Sequence, residues 1–445
     1  MKLFCKEGDS RKNTMFLLLA AAGVLEFLFM TLENRFSGLA YYLTETYLIV
    51  PALLFLGCAL AGQLPKFAKG RLLLAGTAIA WFALVQLIHK LSGMETHPIA
   101  TVFFVYLMAF PFASVTEDGE NLGLRWIGGM FLAAALVLAG YGVVLLADLV
   151  PAGLRQSIFW DGARLHVFWH PNMSACFFML GIGFAAAFLV QTRRLLWKLL
   201  LLAAIALQMV LMAMTNCRTT LLLTGAMLGM ILFLMILQRF QPRLPRKTGK
   251  GKIRIILLCL VLVAVLLVGF FLVAGKLYRQ NNDRLLEEGA AVLKTENPQG
   301  TLLDDMRTLN GRTVIWKSAF SAIRDNKRLA LFGTEYSGTV ISAYNAFEVV
   351  HGHNAWVESL LRMGLPGLTL SLVFTALAVW SAAKLVLNPG AELWKKILAV
   401  LTMCLMATGF LEPYLFITNV YYHVTDFAFF FLTGYLDCWA NREKN

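Results

Sequence analysis

Apolar residues come along this chain in long blocks rather than alternating stripes. About twelve blocks stand out, at roughly 14–33, 40–62, 72–89, 98–116, 125–149, 171–190, 195–214, 219–238, 255–275, 364–386, 396–412 and 419–438. Most are near the length that crosses the hydrocarbon core of a bilayer as a helix, about 20 residues. A helix satisfies its backbone polar groups internally, which the dry bilayer core demands. The first block is too long for a signal-peptide core and lacks a small-residue cleavage site, so it counts as span one.

Between the ninth and tenth blocks lies residues 276–363, a connection too long to be left structureless. In TVIWKSAFSAIRDN (313–326), Val314, Ile315, Ala319, Ala322 and Ile323 recur at helical spacing. In AWVESLLRM (355–363), Trp356, Leu360 and Met363 share one face, and Glu358 and Arg362 make an i,i+4 pair on another. Such helices are expected to lie along the membrane surface. The expected organisation is therefore spans one to nine in 1–275, a helical extracytoplasmic loop in 276–363, and spans ten to twelve in 364–445. No internal repeat points to an inverted-repeat transporter.

Composition agrees. The chain has 445 residues, 59% apolar and 15% charged, against about 25% charged in a soluble protein. Its mean hydropathy is +0.68. The fold class expected is an all-α polytopic membrane protein. The net charge of +13 does not call for nucleic acid, because the basic residues cluster in short loops. With the N-terminus inside, the inner segments hold 23 Lys and Arg and the short outer loops hold 5. That bias puts both termini in the cytoplasm and residues 276–363 outside. The basic linker QRFQPRLPRKTGKGKIR (238–254) is then an orientation signal that also suits anionic headgroups. The cysteines form no CxxC pair, so neither a disulfide framework nor a zinc motif is indicated.

In this topology every histidine falls at the outer face: His89, His97, His166, His170, His351, His353 and His423. Histidine titrates near neutrality, so acid–base chemistry is expected at that face. His353 has the best context. It precedes Asn354, a favoured helix N-cap, and the positive helix end favours a neutral imidazole able to act as general base. His351 is read as a flanking polar residue. An HxH metal site joining it to His166 and His170 has no carboxylate pattern behind it, and no metal or other cofactor is expected. Arg218 in TNCRTTLLL and Arg312 in LNGRTVIW offer donor forks suited to phosphate or pyrophosphate; snorkelling to headgroups is the plain alternative. Glu26, Glu45, Asp148, Glu412 and Asp426 are acids in or beside the apolar blocks.

His353-Asn354, nine residues, then Gly364-Leu365-Pro366-Gly367-Leu368 resembles the HN-x9-GxxG signature of the O-antigen ligase-like membrane proteins. That family includes O-antigen ligases, O-antigen polymerases and O-linked oligosaccharyltransferases. NGRTVIWKSAFSAIRDN with LFGTEY (331–336), TNCRTTLLL and FWHPNMSA (168–175) resemble further family stretches. Asn326-Lys327 stands where proline is usual, and Asn216-Cys217 where serine is commoner. The likeness covers roughly residues 160–370.

The resemblance implies a GT-C-like, metal-independent, inverting glycosyltransferase embedded in the cytoplasmic membrane with its site outside. Its donor would be a glycan on undecaprenyl pyrophosphate, and its acceptor a hydroxyl of a glycan, lipid or protein. Carried over by position, His353 would be the base, and Arg218 and Arg312 would hold the pyrophosphate. Asn354, Gly364, Gly367, His170 and Asn172 would support the site, with the glycines breaking the surface helix from span ten. The alternative is a lipid-linked oligosaccharide flippase or polysaccharide exporter, which has no need of an ordered loop bearing a basic histidine.

Overall fold

The computed structural model describes residues 10–28, 53–54, 56–62, 68–94, 112–113, 115, 121–147, 159–160, 164–167, 170–215, 217–240, 269, 312–344, 349, 351–416 and 423–442. In chain order its helices are α1 (Ser10–Leu28), α2 (Lys69–Leu91), α3 (Leu122–Leu146), α4 (Pro171–Gln191), α5 (Leu195–Met214), α6 (Arg218–Phe240), α7 (Arg312–Asp325), α8 (Lys327–Phe332), α9 (Ser337–Ser342), α10 (Ala355–Leu387), α11 (Leu393–Thr408) and α12 (His423–Arg442). The expected spans at 40–62, 98–116 and 255–275 lie wholly or largely outside the described residues, as do most of the basic linker and loop residues 276–311. Among the described residues, six helices are long and apolar enough to cross a membrane: α2, α3, α4, α5, α6 and α10. The chain is thus a multi-pass membrane protein.

One detail departs from an all-helical chain. Phe159–Trp160 (β1) pairs antiparallel with Arg164–Leu165 (β2), a two-residue ladder in the aromatic loop before α4.

The chain divides into two compact units. One comprises Met1–Met130, Gly300–Ser381 and Leu405–Asn445; the other comprises Phe131–Gln299 and Ala382–Cys404.

The second unit is built on α4, whose small residues admit close neighbours. A Cβ at Gly181 would collide with the Gln208 side chain and Ala135, and one at Gly183 with Leu401. Buried Phe184 stacks on Phe131 with ring centroids 5.6 Å apart. Close approach through small residues is how helices gain contact where no hydrophobic effect drives them together.

In the first unit, α7, α9 and the start of α10 share a small core of Ile315, Ala319, Ile341, Val357 and Leu361, flanked by Trp316, Ile323, Val340 and Val349. α7 forms where the spacing predicts, but its buried face is Ile315, Ser318, Ala319 and Ala322. Val314 is exposed, and Ser318 turns inward to give its hydroxyl to the Tyr344 carbonyl at 3.2 Å. Position on the helical circumference decided this, not apolarity.

α10 is a single run broken at Gly364, where φ is 68° and ψ −169°, a conformation open essentially to glycine. A Cβ there would strike the Leu331 carbonyl, so α8 ends against the break. Trp81 of α2 donates to the Met363 carbonyl at 3.0 Å, taking up an acceptor beside the break. Across it, Ser359 and Ser371 hydroxyls meet at 2.6 Å, and Gly367 leaves room for the Met363 side chain. A sharp bend with a named cause and resatisfied backbone groups is the expected form.

Candidate active site

The first turn of α10 carries the histidine-bearing loop. Asn354 closes the helix: its Oδ1 accepts from the Trp356 and Val357 amides at 2.9 and 3.0 Å. Its Nδ2 donates to the Phe410 carbonyl at 3.0 Å, and the Ala355 amide donates to the Gly409 carbonyl at 2.7 Å. The segment leaving α11 therefore cradles this helix start. Gly409 eases the approach, since a Cβ there would lie 2.8 Å from Leu415 Cδ1 and 3.3 Å from the Ala355 Cβ. Trp356 packs on Phe410 and Phe416, at centroid distances of 4.5 and 5.4 Å.

His353 precedes this cap with φ 46°, a left-handed backbone that costs an L-residue about 1–2 kcal/mol. The surroundings over-determine it. Its amide donates to His351 Nδ1 at 3.3 Å, and the Gly352 carbonyl of the same peptide accepts from Trp316 Nε1 at 3.0 Å. The preceding peptide is held through the Gly352 amide, which donates to Glu358 Oε2 at 2.7 Å. The two imidazoles lie against each other, centroids 4.1 Å apart.

His351 is therefore no flanking residue: it is buried and its ring nitrogen holds the backbone of His353. Burial pushes its pKa below the ordinary value; the Glu358 carboxylate opposes this, and the Arg362 and Arg312 charges add to the lowering. A neutral ring is what an accepting Nδ1 requires.

Glu358 is completely buried. Besides Gly352 it accepts from Ser337 Oγ at 2.6 Å and from Arg362 Nε at 2.7 Å. The expected i,i+4 pair with Arg362 exists, but inside the fold rather than on a wet face. Arg362 Nη1 also lies 3.5 Å from Glu335 Oε1. Glu335 is tied to α2 through Gln86 Nε2 at 3.4 Å and His89 Nδ1 at 3.6 Å. Burial alone would raise the Glu335 pKa, but the His89 contact, the Arg362 charge and Gln86 outweigh it, and the net shift is downward.

Arg312 opens α7 and is brought to the same region: Nη2 donates to Glu412 Oε1 at 3.0 Å. Glu412 stood out in the sequence as an acid beside an apolar block, but nothing there named its partner, 100 positions away. One edge of the guanidinium is fixed; its buried Nε meets no acceptor among the described residues. Arg312, His351, Glu358 and Arg362 form one electrostatic neighbourhood.

Residues 201–372 match the model of the O-antigen ligase family, Wzy_C. That match covers under half of the chain and supports an O-antigen ligase-like family. The match supports glycosyl transfer of the O-antigen ligase or polymerase type in general, a kind of reaction that implies a lipid-linked glycan donor and an acceptor in a membrane. No curated protein matches the chain.

The O-antigen ligase segment contains Arg218, Arg312, His353, Asn354, Gly364 and Gly367. Arg218 starts α6 in the other unit, half-buried. Ahead of it Cys217 occupies the cap position; its thiol contacts Thr220 Oγ1 at 3.1 Å and its carbonyl accepts from the Leu221 amide at 3.0 Å. His170 and Asn172 lie outside the matched residues. His170 caps α4, its Nδ1 accepting from the Asn172 amide at 3.2 Å. That contact gives the pair a local structural role.

Proposed function

We propose that the protein is a metal-independent, inverting glycosyltransferase of about twelve spans and GT-C-like fold. It draws a glycan from an undecaprenyl-pyrophosphate donor at the outer face of the cytoplasmic membrane. The observation that carries this is the His353 turn: a left-handed, non-glycine residue whose flanking peptides are held by His351, Trp316 and Glu358. Strain kept in place by so many partners is characteristic of functional positions.

In the proposed reaction, His353 takes the proton of an acceptor hydroxyl as the oxygen attacks the anomeric carbon. The bond from that carbon to the pyrophosphate oxygen breaks on the opposite side, inverting the centre. The carrier leaves as a pyrophosphate whose added negative charge needs cations already in place. Arg312 is suited to this because Glu412 fixes one edge of its fork and leaves further donors. Arg218 takes the same role by family resemblance alone. Asn354 and Gly364 support the base by capping and turning the helix below it.

The deciding experiment uses purified protein and lipid-linked donor. His353→Ala should cut turnover by about 10²–10⁴, the range for losing a general base, while the protein still inserts and binds donor. Full activity in that variant would end the proposal. Offering the donor alone and then with a second acceptor separates a polymerase, which builds a ladder unaided, from a ligase.

A further inference from the structure

Glu358 takes no part in the chemistry just described, yet it is the most completely buried charged side chain around the loop. A carboxylate in such a place must be met by donors. Two of its three, Ser337 Oγ and Arg362 Nε, are side chains and both reach Oε1. The other oxygen, Oε2, is spent on the Gly352 amide, one residue from His353. Arginine–carboxylate pairs are frequently bidentate, with two parallel bonds from the fork. Here Arg362 turns its second nitrogen to Glu335 instead.

We propose that Glu358 is a positioning residue for His353: it clamps the Gly352 amide and so fixes the turn from which the imidazole is presented. This role rests on the general-base assignment of His353. Three contacts act in series on adjacent peptides. Glu358 holds the peptide before Gly352, while Trp316 and His351 hold the peptide after it. Without the first, the left-handed His353 backbone can relax toward negative φ and carry its ring away. The clamp is itself anchored, since Arg362 passes through Glu335 to His89 and Gln86 on α2. Space at Gly352 is matched to it: a Cβ there would lie 3.1 Å from Glu358 Oε2 and 3.2 Å from Val357 Cγ1. Gly352→Ala therefore presses the same contact from the opposite side.

The test compares Glu358→Gln, Glu358→Asp and Gly352→Ala with the unaltered full-length protein, measuring kcat and donor KM alongside thermal melting. Misplacing a catalytic group by about 1 Å costs about 100-fold, so E358Q should lower kcat by ~10- to 100-fold with donor KM within ~2-fold. G352A should move kcat in the same direction, and E358D, which keeps the charge, should recover part of the loss. If E358Q fails to insert, G352A and Ser337→Ala carry the same comparison. Wild-type kcat in E358Q, or in G352A where E358Q does not insert, overturns the proposal. So does a fall in kcat that only tracks the fraction of folded protein. An inactive His353→Ala beside a fully active E358Q removes the positioning role alone. An active His353→Ala removes the base assignment, and the positioning role with it.

Discussion

Two turns carry the strongest candidate residues, and they are held in different ways. The turn before α6 carries local, neutral contacts, and Thr220 beside it also meets Cys176 of α4 at 3.6 Å. Thr215 Oγ1 donates to the Met212 carbonyl at 2.7 Å, the Cys217 amide donates to Thr215 Oγ1 at 3.2 Å, and Cys217 meets Thr220. The turn before α10 is closed from afar, by Trp316, Glu358, the Gly409 and Phe410 carbonyls and a neighbouring histidine. The difference matches what the proposed roles would require. A guanidinium meets a phosphate through a fork of several donors, so a small shift need not lose every contact. A general base works only within hydrogen-bond reach, about 2.6–3.2 Å, so its backbone is worth fixing from several directions.

If that contrast is right, variants in the two turns separate, with Arg312 at the start of α7 as a third point of comparison. Arg312→Lys keeps the charge but loses the fork, and should lower turnover by about 10²-fold, as removal of one transition-state donor does; steady-state rates on lipid-linked donor measure it. A Lys variant as fast as the native protein would reduce Arg312 to a partner of Glu412. Asn354→Ala removes the cap and its tie to Phe410, and should cost about 1–2 kcal/mol in stability, read as a lower melting temperature in detergent, with a fall in kcat beyond it.

A pH dependence comes next. The His351 pKa is depressed by burial, so below the ordinary histidine value of about 6.5 the unfolded chain binds a proton that the folded chain resists. Stability is therefore intact above that pH and falls as pH drops through it. Protonating Nδ1 would also break its bond from the His353 amide. Melting curves from pH 7.5 down to 5, taken by ~0.5 units, should show a decline that His351→Asn flattens. An unchanged decline would assign it to other groups. The smallest effect is expected at the local turn. Cys217→Ser should leave activity within ~2-fold, because a hydroxyl can replace the thiol toward Thr220; a large loss would mean this turn is as tightly specified as the other.

Length and apolarity made the membrane helices legible, yet they did not say which side of a helix meets protein. α4 and α5 have the same hydropathy, 2.2, but 83% of one and 22% of the other is buried. In lipid both surroundings are equally apolar, so the pattern carries little information about burial. The histidine turn was legible where its partners are near in sequence. Asn354 could be read as a cap, Glu358 and Arg362 as an i,i+4 pair, and Gly364 with Pro366 as a break. The role of His351 lies in a bond to backbone, which no spacing reveals.

By itself the sequence determined local matters: runs long enough to span, a residue fit to cap a helix, a glycine free to adopt φ 68°, an imidazole near neutrality. Tertiary structure alone decided that Glu358 is buried and bonded to Gly352, that Arg312 finds Glu412, and that the residues after α11 cradle the start of α10. Hydrogen bonds reach about 3 Å and owe nothing to distance along the chain, so contacts such as these exist only once the helices have packed.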